Sequence, residues 1–206
     1  MKRLIVTFNG LLTDATLSGG PLARTAQFAL DHVNWNQLPM KQDPAFNHVV
    51  ESHLQDACNQ SGSQGSKTND VAQALLAANS QIQWRASEKP TDDGADVAAF
   101  LPKFAYTCII GDDGLLSSDK VSAGFSLQAS DTYYPPHAHT AEESYWIIGG
   151  NGDWKVDTKP WFPVAAGDSI YHRSQARHAM QTNEQPLLAM WLWTSHLDSE
   201  VIIVRS

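Results

Sequence analysis

Hydrophobic residues in the first hundred positions of the chain recur at the spacing of amphipathic α-helices. This spacing predicts helices over residues 25–33, 43–54 and 70–79. In the second of these, Asp43 and Pro44 are residue types typical of a helix N-cap and of the first helical position. A Ser- and Gly-rich stretch over residues 61–66 predicts a flexible loop before the third helix. We therefore expect residues 1–100 to form a helical segment.

From residue 104 onward the pattern changes to short β-rich runs separated by turn residues. The runs cover residues 106–110, 121–127, 144–148, 154–156, 169–172 and 187–193. Short strands at such intervals are typical of an antiparallel barrel or a double-sheet jelly roll. Because the helices come first and the strands later, the pattern predicts an α+β fold with a β-barrel over residues 101–206.

The charge of the chain limits the partners that it can be expected to have. The net charge is −8 at pH 7, and the sequence contains no run of basic residues. Nucleic acids and anionic membrane surfaces attract basic proteins, so we expect neither as a partner. No apolar stretch approaches the length of a membrane span. The expected ligand is therefore a small molecule, and a homodimer is left open.

The start of the chain is basic and then apolar, as in a secretory leader, but Asn9 and Gly10 interrupt the apolar run and no small-residue cleavage site follows. We therefore expect a cytoplasmic protein. The two cysteines, Cys58 and Cys108, lack the spacing of a metal or redox motif, which favours buried or idle thiols.

The chemistry of the chain is concentrated in residues 133–150. Two histidines, a carboxylate and a phenol occupy the odd positions His137, His139, Glu143 and Tyr145, so that on an extended backbone all four can point to one side. Neutral imidazoles and a carboxylate suit a borderline divalent metal ion, and an open coordination position would make that ion a Lewis acid. The spacing therefore predicts a metal site that needs a further ligand.

That further ligand is expected from the downstream stretch, which contains a Gly-Asp turn at 167–168 followed by His172 and His178. The pattern HxHxxxExYxxxxG, followed by GD and a later histidine, resembles the two motifs of the cupin superfamily. The resemblance implies a metal site of three histidines and one glutamate, at His137, His139, Glu143 and His178. The spacing after the GD turn in that superfamily favours His178, with His172 as its competitor.

Four stretches carry a narrower resemblance, to the bacterial cupin-type dimethylsulfoniopropionate lyases. They are residues 133–145, Trp154, residues 172–180 and residues 186–193. The resemblance implies that a helical N-terminal segment packs on a cupin β-barrel. It also implies a metal-dependent β-elimination that cleaves dimethylsulfoniopropionate, a zwitterionic sulfonium carboxylate, to acrylate and dimethyl sulfide.

By position, His139, Glu143 and His178 match the metal ligands of that family, and His137 matches the first histidine of its motif. Tyr145 matches a phenol beside the metal that is proposed as ligand and base, and Tyr134 matches a second tyrosine of the pocket. Either tyrosine is a candidate for the base. We expect one divalent ion, with zinc favoured over iron, manganese, cobalt and nickel.

The tryptophans of the β half bear on the substrate. They are Trp146, Trp154, Trp161, Trp191 and Trp193. Each is expected either to fill the barrel core or to hold a cationic group against its ring face.

Two other functions fit the same metal motif. Metal cupins also include dioxygenases and isomerases that act on other small carboxylates, and some cupins only bind a ligand. Oxygen consumption with a redox-active iron would indicate a dioxygenase, whereas activity with redox-inert zinc would indicate elimination.

Overall fold

The computed structural model describes residues 1–86 and 94–205. The helices are α1 (Lys2–Ala15), α2 (Gly20–His32), α3 (His48–Asn59), α4 (Lys67–Ala78) and α5 (Ala95–Phe100). The strands are β1 (Arg85–Ala86), β2 (Phe104–Ile110), β3 (Ser122–Gln128), β4 (Tyr133–Ala138), β5 (Glu143–Val156), β6 (Phe162–Ala165), β7 (Ser169–His172), β8 (His178–Gln181), β9 (Leu187–Trp193) and β10 (Ile202–Ile203). Residues 87–93 of the predicted helical segment lie outside the described residues. The division of the chain at residue 100 stays a prediction.

The start of α3 differs from the prediction that Asp43 and Pro44 begin a helix. The helix begins at His48, and its N-cap is Asn47. The side-chain oxygen of Asn47 accepts the backbone N–H groups of Val49 at 3.0 Å and Val50 at 3.3 Å. These are donors of the first turn that have no partner within the helix, so Asn47 fixes the start of the helix where it can satisfy them.

Helices α1 to α4 pack on one side of the sheet through a continuous hydrophobic core. Buried residues of α1, α3 and α4 share one cluster with residues of β2, β3 and β9. At its centre, the ring of Phe8 meets the ring of Phe125 edge-on, with centroids 5.6 Å apart. None of the helices in the described part of the chain has the length and apolarity that a membrane crossing needs.

The strands form an antiparallel sheet in the order β1-β2-β3-β9-β5-β8-β4-β10, with β6 and β7 also paired to β5. Strand β5 is central because its first half pairs with β7 and β9 and its second half with β6 and β8. The curled antiparallel sheet, with α1 to α4 packed on one side of it, confirms the predicted α+β fold. Strands β7 and β9 begin and end at the predicted residues.

Strand β5 corrects the prediction of two separate strands over residues 144–148 and 154–156. It runs unbroken from Glu143 to Val156 through the glycines that resembled a turn. Gly149 lies so close to α3 that an added Cβ would be 2.1 Å from the carbonyl oxygen of Ala57. These glycines therefore serve close packing of backbone on backbone, not reversal of the chain.

The side chains of β5 alternate between two cores. Trp146 and Ile148 belong to the core under the helices, whereas Tyr145 and Ile147 belong to a second buried cluster. The pairing of β5 with β9 shifts register between Ile147 and Gly149, and beyond this shift Trp154 joins the second cluster. The register shift thus places the even-numbered Trp154 on the same side as the odd-numbered Tyr145.

Candidate metal centre

Three of the predicted ligands lie together in the second core, each from a different part of the sheet. Glu143 is the first residue of β5, His178 is the first residue of β8, and His139 directly follows β4. The Oε2 atom of Glu143 lies 3.0 Å from Nε2 of His139 and 3.4 Å from Nε2 of His178. One donor atom of each residue lies within 4.8 Å of the others, and all three residues are buried. This arrangement is a candidate metal site.

Backbone carbonyl groups fix which ring nitrogen of three histidines carries a proton. His137 Nδ1 lies 2.9 Å from the carbonyl oxygen of Pro135, His139 Nδ1 3.1 Å from that of Ala141, and His178 Nδ1 2.9 Å from that of Ala176. A carbonyl oxygen can only accept, so each Nδ1 carries the proton and each Nε2 of a neutral ring has a lone pair. The Nε2 atom of His178 is buried without a hydrogen-bond partner within the described residues. A metal ion would supply the missing partner.

His137 lies beside the other three but outside the group whose donor atoms converge. Its ring stacks on the ring of Tyr134, with centroids 3.9 Å apart, and meets the ring of His178 at 4.0 Å. Burial, followed by the proximity of His178, lowers the pKa of His137 well below its ordinary value. The ring is therefore neutral, which is the form that can bind a metal.

His172, the competitor for the last ligand place, is in the site with its ring nitrogens used differently. Its Nε2 atom accepts the indole N–H of Trp154 at 3.0 Å. Its Nδ1 atom lies 3.6 Å from Oε2 of Glu143. Burial, followed by the proximity of His178, lowers the pKa of His172 to about 3. His172 is thus a neutral residue whose Nε2 lone pair is already engaged.

Glu143 is held as a carboxylate despite its burial. Burial alone would raise the pKa of Glu143, but the hydrogen bond with His139 and the proximity of the His172 and His178 rings outweigh burial and hold the pKa well below the ordinary range. The other oxygen of Glu143, Oε1, accepts the indole N–H of Trp193 at 2.7 Å. The sequence pattern did not indicate this contact, because Trp193 is fifty positions away and only the strand register brings it opposite Glu143.

Both candidate tyrosines lie in the second core. The ring of Tyr145 packs against that of Trp154, with centroids 4.9 Å apart, and Tyr134 is stacked between Phe100 and His137. Burial, followed by the negative charge of Glu143, raises the pKa of both phenols well above the ordinary value. Both phenols are therefore protonated unless positive charge is brought into the site.

An α+β chain whose curled antiparallel sheet encloses converging histidines and a glutamate has the architecture of a cupin with a candidate metal site. Residues 23–189 match the family pattern described as dimethylsulfoniopropionate lyase. The chain belongs to the dimethylsulfoniopropionate lyase family.

Named relatives support this placement. The dimethylsulfoniopropionate lyase DddQ of Ruegeria pomeroyi is 32% identical over 133 residues, which is 65% of each chain. A protein of Cereibacter sphaeroides described as a dimethylsulfoniopropionate lyase DddL is 33% identical over 98 residues, or 47% of this chain and 40% of its own. Both alignments span less than two thirds of the relative's length.

Solved structures show the same fold over nearly the whole chain. The crystal structure of DddQ from Ruegeria pomeroyi superposes with a TM-score of 0.74 and 26% identity, covering 98% of this chain and 94% of that one. A structure from the work on DMSP lyases RdDddP and RnDddQII covers all of both chains with a TM-score of 0.71 and 22% identity. The helical segment and the sheet thus form one arrangement that is found in both structures.

Proposed function

We propose that this protein is a metal-dependent carbon-sulfur lyase that cleaves dimethylsulfoniopropionate to acrylate and dimethyl sulfide. One observation carries the proposal. In a chain of this family, donor atoms of His139, His178 and a buried carboxylate lie within 4.8 Å of one another, and the Nε2 atom of His178 has no hydrogen-bond partner within the described residues. Without a bound metal this arrangement would destabilise the core, because a buried polar atom without a partner is unfavourable.

The donor set proposed for the metal is Nε2 of His137, His139 and His178 together with Glu143. Nitrogen and carboxylate oxygen donors fit zinc, and they also fit iron, manganese, cobalt and nickel. Zinc is proposed because elimination requires no redox chemistry. A divalent ion held there would supply Lewis-acid stabilisation to the charge that builds onto the substrate carboxylate.

The reaction requires one base. Tyr145 is proposed to take the proton from the carbon next to the substrate carboxylate, so that the electron pair of the broken C–H bond forms the C=C bond of acrylate. The C–S bond breaks as the double bond forms, and dimethyl sulfide leaves as a neutral molecule that needs no acid. The proton stays on the phenol oxygen and must pass to solvent before the next turnover.

The environment of Tyr145 determines when it can act as this base. Burial and the charge of Glu143 both oppose ionisation of the phenol. The phenolate is therefore available only when positive charge in the site offsets both effects. Tyr134 is the alternative base, because it lies against His137 and its phenol also responds to the charge of Glu143.

Aromatic rings are proposed to hold the cationic sulfonium. Trp193 packs on His139, with ring centroids 4.6 Å apart, and Trp191 lies next to Trp193 at 6.0 Å. Unlike Trp146 and Trp154, both retain partial exposure. A sulfonium over these ring faces would be attracted by the ring quadrupoles while the carboxylate end faces the histidines.

The direct experiment is headspace detection of dimethyl sulfide after dimethylsulfoniopropionate is added to purified, zinc-loaded protein. We expect release of dimethyl sulfide and an equal amount of acrylate. His178→Ala is the matched control, since it removes one proposed ligand and leaves both tyrosines. If zinc-loaded protein releases no dimethyl sulfide above the His178→Ala background, the proposed function is wrong.

A further inference from the structure

Glu143 is the middle residue of a row across three strands. His172 of β7 pairs directly with Glu143 on one side, and Trp193 of β9 pairs directly with it on the other. Side chains at directly opposed positions of antiparallel strands project to the same face and lie next to each other. The register of the sheet therefore brings two nitrogen-bearing rings to the carboxylate of Glu143.

A contact with Trp154 determines the tautomer of His172. The indole N–H of Trp154 can only donate, and it points at Nε2 of His172 from 3.0 Å. Nε2 must therefore present its lone pair to the indole. In the neutral ring the remaining proton is on Nδ1, which makes Nδ1 a hydrogen-bond donor.

The Nδ1 atom of His172 faces Glu143. It is buried, has no hydrogen-bond partner within residues 1–86 and 94–205, and lies 3.6 Å from Oε2 of Glu143. Hydrogen bonds from nitrogen to a carboxylate are about 2.7 to 2.9 Å long. A shift of under about 1 Å would therefore complete this bond.

We propose that His172 is a positioning residue that donates from Nδ1 to Glu143, and that Trp154 sets the tautomer that makes this donation available. The proposal rests on the metal site of the proposed function. It assigns opposite roles to two adjacent histidines, whose rings are stacked with centroids 3.9 Å apart. His178 offers a lone pair to the metal, whereas His172 offers a proton to the carboxylate that binds the metal.

Substitution by amide side chains can distinguish the roles of the two ring nitrogens of His172. Asparagine places its amide nitrogen near the position of Nδ1 and so retains the donor to Glu143. Glutamine reaches the position of Nε2 and so retains a partner for Trp154 but not that donor. We expect His172→Asn to bind Zn²⁺ within about threefold of wild type and His172→Gln to bind it about 10- to 100-fold more weakly, the usual effect of losing a partner of a metal ligand.

A second variant tests the contribution of Trp154. In Trp154→Phe the indole donor is lost, so His172 is free to adopt the tautomer that cannot donate to Glu143. We expect weaker Zn²⁺ binding in the wild-type background and no further weakening in the His172→Asn background, where the amide cannot change tautomer. Trp146→Phe is the matched control, because Trp146 is a buried tryptophan of β5 that belongs to the other core.

Zn²⁺ dissociation constants from competition with a chromogenic chelator are the readout, so turnover is not needed. Thermal unfolding of each metal-free variant checks that it folds. If His172→Gln does not fold, the proposal is tested by comparing the effect of Trp154→Phe in the wild-type and His172→Asn backgrounds. The proposal would be overturned if His172→Asn and His172→Gln lost Zn²⁺ affinity equally, or if neither variant lost affinity. If wild-type protein binds no Zn²⁺, the metal site of the proposed function fails as well. If wild type binds Zn²⁺ and the variants do not separate, only the role of His172 fails.

Discussion

The indole N–H of Trp193 donates to Oε1 of Glu143 at 2.7 Å, whereas the other oxygen of the same carboxylate faces the histidines. The indole therefore holds one oxygen, and the other is presented to the histidines, where a metal would bind. A carboxylate held in this way can bind a metal through one oxygen without reorganising, which lowers the cost of assembling the site.

Replacing Trp193 by phenylalanine should weaken Zn²⁺ binding by about 10- to 100-fold, because the ring is retained but the donor to Glu143 is lost. Trp191→Phe is the control for metal affinity, since Trp191 is two residues earlier on β9 and pairs with Tyr145 instead of Glu143. Chelator competition measures both variants. Equal affinities in the two proteins would show that the indole donor has no role in metal binding.

The ligand assignment predicts that wild-type protein carries about one divalent ion per chain, since one convergent group is present among the residues that the structure describes. His139→Ala and His178→Ala should each lose most of it, because each removes an Nε2 donor. Elemental analysis after dialysis measures the metal content. Full occupancy in both variants would contradict the site. Loss in His172→Ala with retention in His178→Ala would mean that the last ligand is His172.

The base is tested by Tyr145→Phe, which should keep the fold and most of the metal. We expect turnover to fall by a factor of about 10² to 10⁴, the usual contribution of a positioned general base. Tyr134→Phe is the comparison variant and should also be impaired. Exchange of the substrate's α-hydrogen with deuterated solvent, measured with turnover, separates proton transfer from positioning. Near wild-type elimination by Tyr145→Phe, with an inactive Tyr134→Phe, would make Tyr134 the base.

If Trp191 and Trp193 hold the sulfonium group, the protein should prefer cationic substrates. Replacing the sulfonium by the neutral thioether of the same carboxylic acid should weaken binding by about 0.5 to 2 kcal/mol, or roughly two- to thirtyfold, the range of a cation–π contact. Competitive inhibition by the thioether gives its affinity. Equal affinity for the neutral and cationic compounds would leave Trp191 and Trp193 without a role in charge recognition.

Alanine substitutions at two glycines should have opposite effects on the stability of the protein. Gly149→Ala should destabilise the protein by about 1 to 3 kcal/mol, because its Cβ would overlap the carbonyl oxygen of Ala57 and force the backbone apart. Gly10→Ala should stabilise it by about 0.5 to 1 kcal/mol, because Gly10 is inside α1 and its Cβ would meet only the end of Lys67 at 4.0 Å. Urea unfolding of both variants measures the free energies. A neutral Gly149→Ala would contradict the close packing of β5 on α3.

The parts of this molecule that could be predicted are those encoded in nearby residues. The HxHxxxE spacing indicated His139 and Glu143, which the structure brings together, because only three residues separate them in the sequence. The indole donors to Glu143 and His172 could not be predicted, because they depend on which strands pair and in what register. Local composition was also misleading at residues 149–152, where glycines that resemble a turn instead allow close approach of other backbone: α3 at Gly149, and the carbonyl groups of Pro186 and Gln181 at Gly150 and Gly152.

The register shift between Ile147 and Gly149 reverses which residues of β5, odd-numbered or even-numbered, face the site. The first half presents Glu143 and Tyr145 to the site on odd numbers, and the second presents Trp154 on an even number. Deleting one residue from the shift would leave Glu143 in place but turn Trp154 toward the opposite face, separating it from His172. The protein should therefore tolerate conservative substitutions in β5 far better than insertions or deletions in that strand. The number of residues in β5 determines whether the side chains of its two halves face the same site.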